Sequence, residues 1–348
     1  MKREIYIVGM PGTCGGALTE IANFLDLARS HDVSVTLCAH DLRNQIAIDF
    51  AQSIGCKIRR FDNYKIFKNK IVAAWNNGKF LTRLPSIIDE GKPRCVVYFN
   101  CMLMAHRIEL LCHHVGWINY HGFVSDYQRK VLIPQLDRMG PTNEFEGYIP
   151  YFNPDNDLQR IKFEYRKPVD VNEFVVGRIS RDDPRKFADD TWKIFGDVDT
   201  GPLHKRVLVA GFGYRTRPVL GNPPEGMNAT LLEADEMPVA WIYRQLHCII
   251  HKPGSSGESY CRIVPECYAA GVPFVGSRDF AFPELVVHGE TGFLCESSEE
   301  MSACASMLAR DEPLRERIIR NGYEHLKANM ADAEKCWLPW ERLFREFE

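Results

Sequence analysis

Short apolar runs alternate with longer amphipathic stretches along most of this chain, and that rhythm constrains the fold more than any other feature. Buried parallel strands read as brief apolar runs, while the crossovers between them show helical spacing. Residues 5–8 form the first candidate strand, 9–16 a glycine-rich turn, and 17–30 a helix with Leu18, Ile21, Ala22, Leu25 and Ala28 on one face. A strand at 33–38 and a helix at 45–54 follow, and strands at 95–99, 116–120 and 147–151 carry the register onward. A Pro/Asn/Asp-rich stretch at 150–157 breaks it. A new series then begins, with strands at 173–177, 206–210, 229–232, 248–251 and 273–276 and helices at 238–246, 264–270 and 301–310. The pattern predicts an α/β chain of two Rossmann-like, doubly wound domains, 1–165 and 166–330. Residues 331–348 form a closing helix whose Trp337, Trp340, Leu343 and Phe344 are expected to pack back on the first domain.

The 348 residues are 45% hydrophobic and 26% charged, enough to bury real cores and too apolar for a disordered chain. No apolar run approaches the ~20 residues that span a bilayer. The apolar part of the N-terminus is too short for a secretory signal. Twelve cysteines invite a disulfide or zinc reading, but no pair forms C-x-x-C, and several lie within apolar strands or helices. Reduced thiols in a cytoplasmic protein are the expectation, with no metal site. A formal charge of −3 argues against a globally basic nucleic-acid binder.

The chemistry concentrates in two places. Between the strand ending at His251 and the helix opening near Ile263 lies a loop of small residues, followed by proline near the first helical position. The free N–H groups of such a first turn favour a phosphate. Glu258 in the loop and Glu266 in the helix flank that spot, and carboxylates accept paired hydrogen bonds from sugar hydroxyls. The second place is Gly177-Arg178, ending an apolar strand, with Lys186 eight residues on. Two cations at the carboxyl edge of a strand suit a diphosphate, and could neutralise a departing one without a metal ion. The plainer readings are a dipole-complementing Glu266 and solvated surface cations.

This combination resembles the retaining glycosyltransferases of the two-lobed GT-B fold, the group that includes sucrose-type and mannosyl transferases. Glu258 and Glu266 match the group's glutamate–seven–glutamate motif, and Gly177-Arg178 with Lys186 its Gly-Arg…Lys pair. Residues 269–275, 283–286 and 289–294 line up with its helix–strand and Gly-rich segments, so the match covers roughly 170–300. In the first domain, Gly15-Gly16 and His121-Gly122 stand where the group has its glycine loop and active-site histidine. The resemblance implies two domains facing across a cleft, with acceptors bound by the first and nucleotide sugars by the second. It implies sugar transfer with retention from a UDP- or GDP-sugar to a hydroxyl acceptor, with no other cofactor. Glu266 would hold the ribose, Glu258 the transferred sugar, and Arg178 and Lys186 the leaving diphosphate. Backbone amides of Cys261, Arg262 and Ile263 would complete the phosphate cradle, with His121, Gly15 and Gly16 beside sugar and acceptor. Ser259-Tyr260-Cys261-Arg262 departs from the group's Gly-Phe-Gly-Leu type, setting a cation near the phosphates or against the usual sugar.

Other classes fit less well. Gly9, Gly12, Gly15 and Gly16 with Asp41 approximate a dinucleotide fingerprint, but the glycine spacing is wrong for NAD. A sugar-nucleotide epimerase and a non-catalytic sugar-binding relative are nearer alternatives. For the acceptor, the segment 57–83 interleaves bases with aromatics, and residues 1–100 carry 14 Lys and Arg against 9 Asp and Glu. It reads first as a solvated helix face with buried aromatics. The second reading is a patch for an anionic acceptor: a phosphorylated sugar, an anionic membrane surface, or hydroxymethylated DNA.

Overall fold

A computed structural model of the chain describes residues 3–9, 16–40, 42, 45–154 and 172–348. It divides into two compact units, Met1–Leu158 with Asn329–Glu348, and Gln159–Ala328. The expected border at 165/166 and the Gly12, Gly15 and Asp41 positions lie outside the described residues.

The first unit runs β1 (Glu4–Val8), α1 (Gly16–Ser30), β2 (Ser34–Ala39), α2 (Gln45–Ser53), β3 (Lys57–Arg60), β4 (Ile71–Trp75), α3 (Gly78–Ser86), β5 (Cys95–Asn100), α4 (Arg107–His114), β6 (Tyr120–Phe123) and α5 (Asp126–Leu136). Its six strands are parallel in the order β3-β2-β1-β4-β5-β6. The central strands β4 and β5 are buried along their whole length, as parallel strands covered on both faces must be.

The second unit runs β7 (Glu173–Ile179), α6 (Thr191–Asp197), β8 (His204–Ala210), α7 (Arg217–Leu220), β9 (Ala229–Leu232), α8 (Val239–Gln245), β10 (Cys248–His251), α9 (Ile263–Ala270), β11 (Phe274–Ser277), α10 (Phe282–Leu285), β12 (Phe293–Cys295), α11 (Ser298–Arg310) and α12 (Glu312–Ala328). Its parallel sheet repeats the first in the order β12-β11-β10-β7-β8-β9. In each sheet the direction of winding reverses once, between β1 and β4 and between β7 and β10. Open α/β sheets bind ligands outside the carboxyl ends of the strands at such a point.

The chain then returns to the first unit as α13 (Ala333–Glu346). Its Trp337, Trp340, Leu343 and Phe344 recur at helical spacing and are buried in one cluster with α1, β4 and β5. The Trp340 ring lies 4.6 Å from Phe24 and 4.7 Å from Phe145. Fully burying one large apolar side chain contributes roughly 1.5–3 kcal/mol, so this helix is part of the unit's core. No described helix is long and apolar enough to cross a membrane.

Three expectations need correction. The strand expected at 116–120 is β6, shifted to Tyr120–Phe123, because Gly116 (φ +72°) and Trp117 close the end of α4 by bonding to His113 O and Cys112 O. No strand forms at 147–151: Gly147 (φ +76°) turns the chain, and the Tyr148 hydroxyl donates to Glu20. The basic segment 57–83 is not a helix face. It holds the edge strand β3 with Lys57, Arg59 and Arg60 exposed, a 3-10 turn at Tyr64–Phe67, buried β4, and the start of α3.

Candidate functional site

At the reversal point of the second unit, β7 brings up Arg178 and β10 ends in His251. Gly177 exists for packing: a Cβ there would lie 2.4 Å from both Leu208 O and Leu246 Cδ2. Arg178 is only 1% exposed. Its guanidinium lies over the Phe187 ring at 4.9 Å, and Nη2 donates to Lys186 O. Its Nε is buried with no partner among the described residues. Burial lowers the guanidinium to about 10 against the opposing pull of Glu258, so it remains a cation at neutral pH.

Lys186 ends a 3-10 turn, Pro184–Lys186, whose entry is capped by the Asp183 carboxylate. Its Nζ donates to Glu258 Oε1 at 3.1 Å and to Gly257 O at 3.2 Å. Gly254 lets the two segments meet: a Cβ there would lie 2.3 Å from Phe187 O and 2.6 Å from Arg185 O, and Ser256 N donates to Arg185 O. Backbone oxygens yield little to overpacking, which typically costs about 1–3 kcal/mol. Gly254→Ala should therefore push the two segments apart and lower the melting temperature. A variant that melts as the parent would show the contact to be slack.

Burial alone would lift the Glu258 carboxyl, but bonds from His251 and Lys186 outweigh it and hold the group at about 2. His251 Nε2 lies 3.3 Å from Glu258 Oε1. Burial, with Arg178 nearby, pushes that imidazole down to about 4, so it is neutral at pH 7. Glu258 thus takes a hydrogen bond from the neutral His251 and an ion pair from Lys186. Cys261 Sγ sits 4.0 Å from the same His251 nitrogen, and burial pushes its thiol up, leaving it uncharged.

Glu266 lies in the first turn of α9, buried, and accepts from Tyr243 Oη of α8 at 2.9 Å. Ile263 begins the same helix with Arg262 at its cap position, and the Ile263 amide faces the Cys261 sulfur. The second unit thus assembles Arg178, Lys186, Glu258, Cys261, Arg262, Ile263 and Glu266 around one reversal point. His251 and Tyr243 join them without having been singled out. A histidine closing an apolar Cys-Ile-Ile run was the available signal for the first; Tyr243, 23 residues before Glu266, offered none.

The first unit treats its candidates differently. Gly15 is outside the described residues, and Gly16 opens α1, exposed. His121 is the second residue of β6, buried, and Gly122 leaves room for Phe99, whose ring would lie 2.0 Å from a Cβ. His113 Nε2 bonds Gly140 O at 2.9 Å, and a carbonyl only accepts, so that nitrogen carries the proton. His113 Nδ1 then accepts from His121 Nε2 at 3.2 Å, leaving a lone pair on His121 Nδ1. That lone pair faces Glu109 Oε1 at 3.9 Å. His121 is pushed down to about 3 by burial and by His113, so its own imidazole is uncharged at neutral pH.

Residues 231–325 match the family model described as glycosyl transferases group 1. Among solved structures, HepE of Anabaena with UDP and glucose aligns over 99% of this chain and 100% of its own, at TM-score 0.73 and 16% identity. Sucrose-phosphate synthase of Thermosynechococcus elongatus aligns over 99% and 98%, at 0.71 and 14%. TarM of S. aureus aligns over 99% of each chain, at 0.75 and 10%. Likeness at such identities establishes the fold, two Rossmann-like units of the GT-B type. The N-acetyl-alpha-D-glucosaminyl L-malate synthase of Bacillus anthracis is 35% identical over 80 residues, and the chain matches only 21% of that relative's length.

Proposed function

From a chain of the GT-B fold that carries a glycosyl transferases group 1 segment at 231–325, we propose that it transfers a sugar from a nucleoside-diphosphate sugar to a hydroxyl acceptor. The observation that carries the proposal is the buried cation Arg178, its Nε unpartnered among the described residues, at a reversal point that also gathers Lys186, Glu258 and Glu266. In this reading Arg178 and Lys186 stabilise the charge that builds on the departing diphosphate, where preorganised donors act most strongly. Glu266 takes the ribose hydroxyls. Glu258 takes hydroxyls of the transferred sugar: held at about 2, it stays ionised and too weakly basic to serve as a proton shuttle. The leaving phosphate is then the base that assists the acceptor, with retention at the anomeric carbon and no metal required. HepE is seen with UDP and with UDP-glucose, which favours a uridine donor here. The first unit supplies the acceptor side, and exposed Lys57, Arg59 and Arg60 on β3 favour an anionic acceptor. Raising salt from 50 to 200 mM should then raise the acceptor KM steeply; a flat KM would remove that part of the proposal.

Thermal melts with UDP, GDP, ADP and NAD test the donor. A ligand at 100 times its Kd adds about 2.7 kcal/mol of stability. UDP should raise the melting temperature of the parent and not of Glu266→Ala, while Glu266→Gln, which keeps an acceptor for Tyr243, separates lost binding from lost folding. A shift with NAD alone, or undiminished transfer by Glu266→Ala, would overturn the assignment.

A further inference from the structure

We propose that His251 is a positioning residue for Glu258: its Nε2–H holds one carboxylate oxygen so that the other is presented to the donor sugar. The inference rests on the donor site proposed above. His251 closes β10, 2% exposed, with its ring stacked on Phe274 at 6.2 Å and met edge-on by Phe282 at 5.6 Å. Those two rings fix the imidazole plane. A carboxylate only accepts, so the 3.3 Å contact to Glu258 Oε1 puts the proton on Nε2.

Glu258 Oε1 thus receives two donors, the directional imidazole and the Lys186 ammonium. Oε2 takes no hydrogen bond among the described residues. A lysine alone would hold the carboxylate by a flexible stem with rotatable donors. A third cation in place of His251, beside Arg178 and Lys186, would over-neutralise the carboxylate. A neutral imidazole avoids both, and burial beside Arg178 keeps it neutral.

The arrangement is not made for stability. With the proton on Nε2, His251 Nδ1 is a bare acceptor, buried without a partner among the described residues. Buried polar groups left unpaired are destabilising, and an apolar side chain in the same ring-lined space would not carry that penalty.

The test titrates the full chain with UDP, UDP-glucose and UDP-N-acetylglucosamine by calorimetry, for the parent, His251→Phe and His251→Gln. Phenylalanine keeps the aromatic packing and removes the donor; glutamine returns an amide N–H near the Nε2 position. The expected result is UDP affinity within about twofold of the parent in both variants. The affinity added by the sugar should fall about tenfold or more in His251→Phe and recover largely in His251→Gln, the size expected for a hydrogen bond to a charged group. Equal losses for UDP and UDP-sugar would mark His251 as merely structural, and unchanged UDP-sugar binding by His251→Phe would dismiss it outright. A parent chain that binds none of the three probes would overturn the donor site itself, and the inference with it.

Discussion

On the proposed function, Arg178→Met should slow sugar transfer by about 10²–10³-fold, the usual loss when one preorganised donor to transition-state charge is removed, and the variant should melt no lower than the parent. The two halves of this expectation come from the same environment. Arg178 is 1% exposed, with no carboxylate at ion-pair distance among the described residues; its hydrogen bond is to a backbone oxygen and its face lies on Phe187. Methionine follows a similar straight path over that ring and puts a sulfur–aromatic contact in place of the cation–π one. Exchanging buried charge for apolar volume is often neutral or stabilising. A guanidinium kept there without a full set of partners is a stability cost consistent with a catalytic role. Rates with a UDP-sugar and a calorimetric melt check both halves. Full activity would remove Arg178 from the diphosphate site, and a collapsed melting temperature would make it a structural cation.

What the sequence disclosed follows from where each residue's partner lies. The β10–α9 segment carries its chemistry locally, Glu258 and Glu266 eight apart with a proline between them, so the loop, the helix start and both carboxylates were legible. Gly177-Arg178 was legible for the same reason. Its cause was not: the glycine is set by Leu208 O and Leu246 Cδ2, which belong to β8 and to the turn before β10. Strand β3 hid because an edge strand bears charge on its open side, and Lys-Ile-Arg-Arg shows no apolar alternation. The Ile-Val-Ala-Ala-Trp run of β4 was obscured by the bases and aromatics before it. The boundary of β6 slipped because Gly116 and Trp117 finish a helix through bonds that no periodicity displays. The links of His121 to His113 and Glu109 were invisible too, since an α4 that looks like an ordinary helix end meets β6 only through the fold. Whatever depends on an element's own pattern was readable; whatever depends on the neighbour packed against it was not.

At pH 8, Glu109→Gln should raise the melting temperature of the chain by several degrees, and at pH 4 it should change little. Glu109 is fully buried in the first turn of α4. Asn100 Nδ2 at 2.6 Å and His106 N at 3.2 Å both donate to its Oε2, the second bond closing a capping box. Oε1 has no hydrogen-bond partner among the described residues and faces the lone pair of His121 Nδ1 at 3.9 Å. Burial, resisted by the His106 and Asn100 bonds, raises the carboxyl from 4.5 to about 7. The sign of the linkage follows. The unfolded chain releases this proton near 4.5, while the folded chain holds it to about 7. The stability linked to it is therefore complete below pH 4.5 and is lost progressively up to about 7. A shift of that size corresponds to roughly 3 kcal/mol, and a kilocalorie moves a unit of this length by about 2–4 °C. Glutamine removes the ionisation and keeps the geometry. Its carbonyl can accept from Asn100 and His106, preserving the capping box, and its amide N–H points at the waiting His121 Nδ1. Melting curves of both proteins from pH 4 to 8 decide the matter. The gap should open with rising pH, whereas an ion pair between Glu109 and a protonated His121 would make the glutamine variant the less stable one near neutrality. That second outcome would reverse the tautomers assigned along His113 and His121 and return a charge to the first unit's histidine.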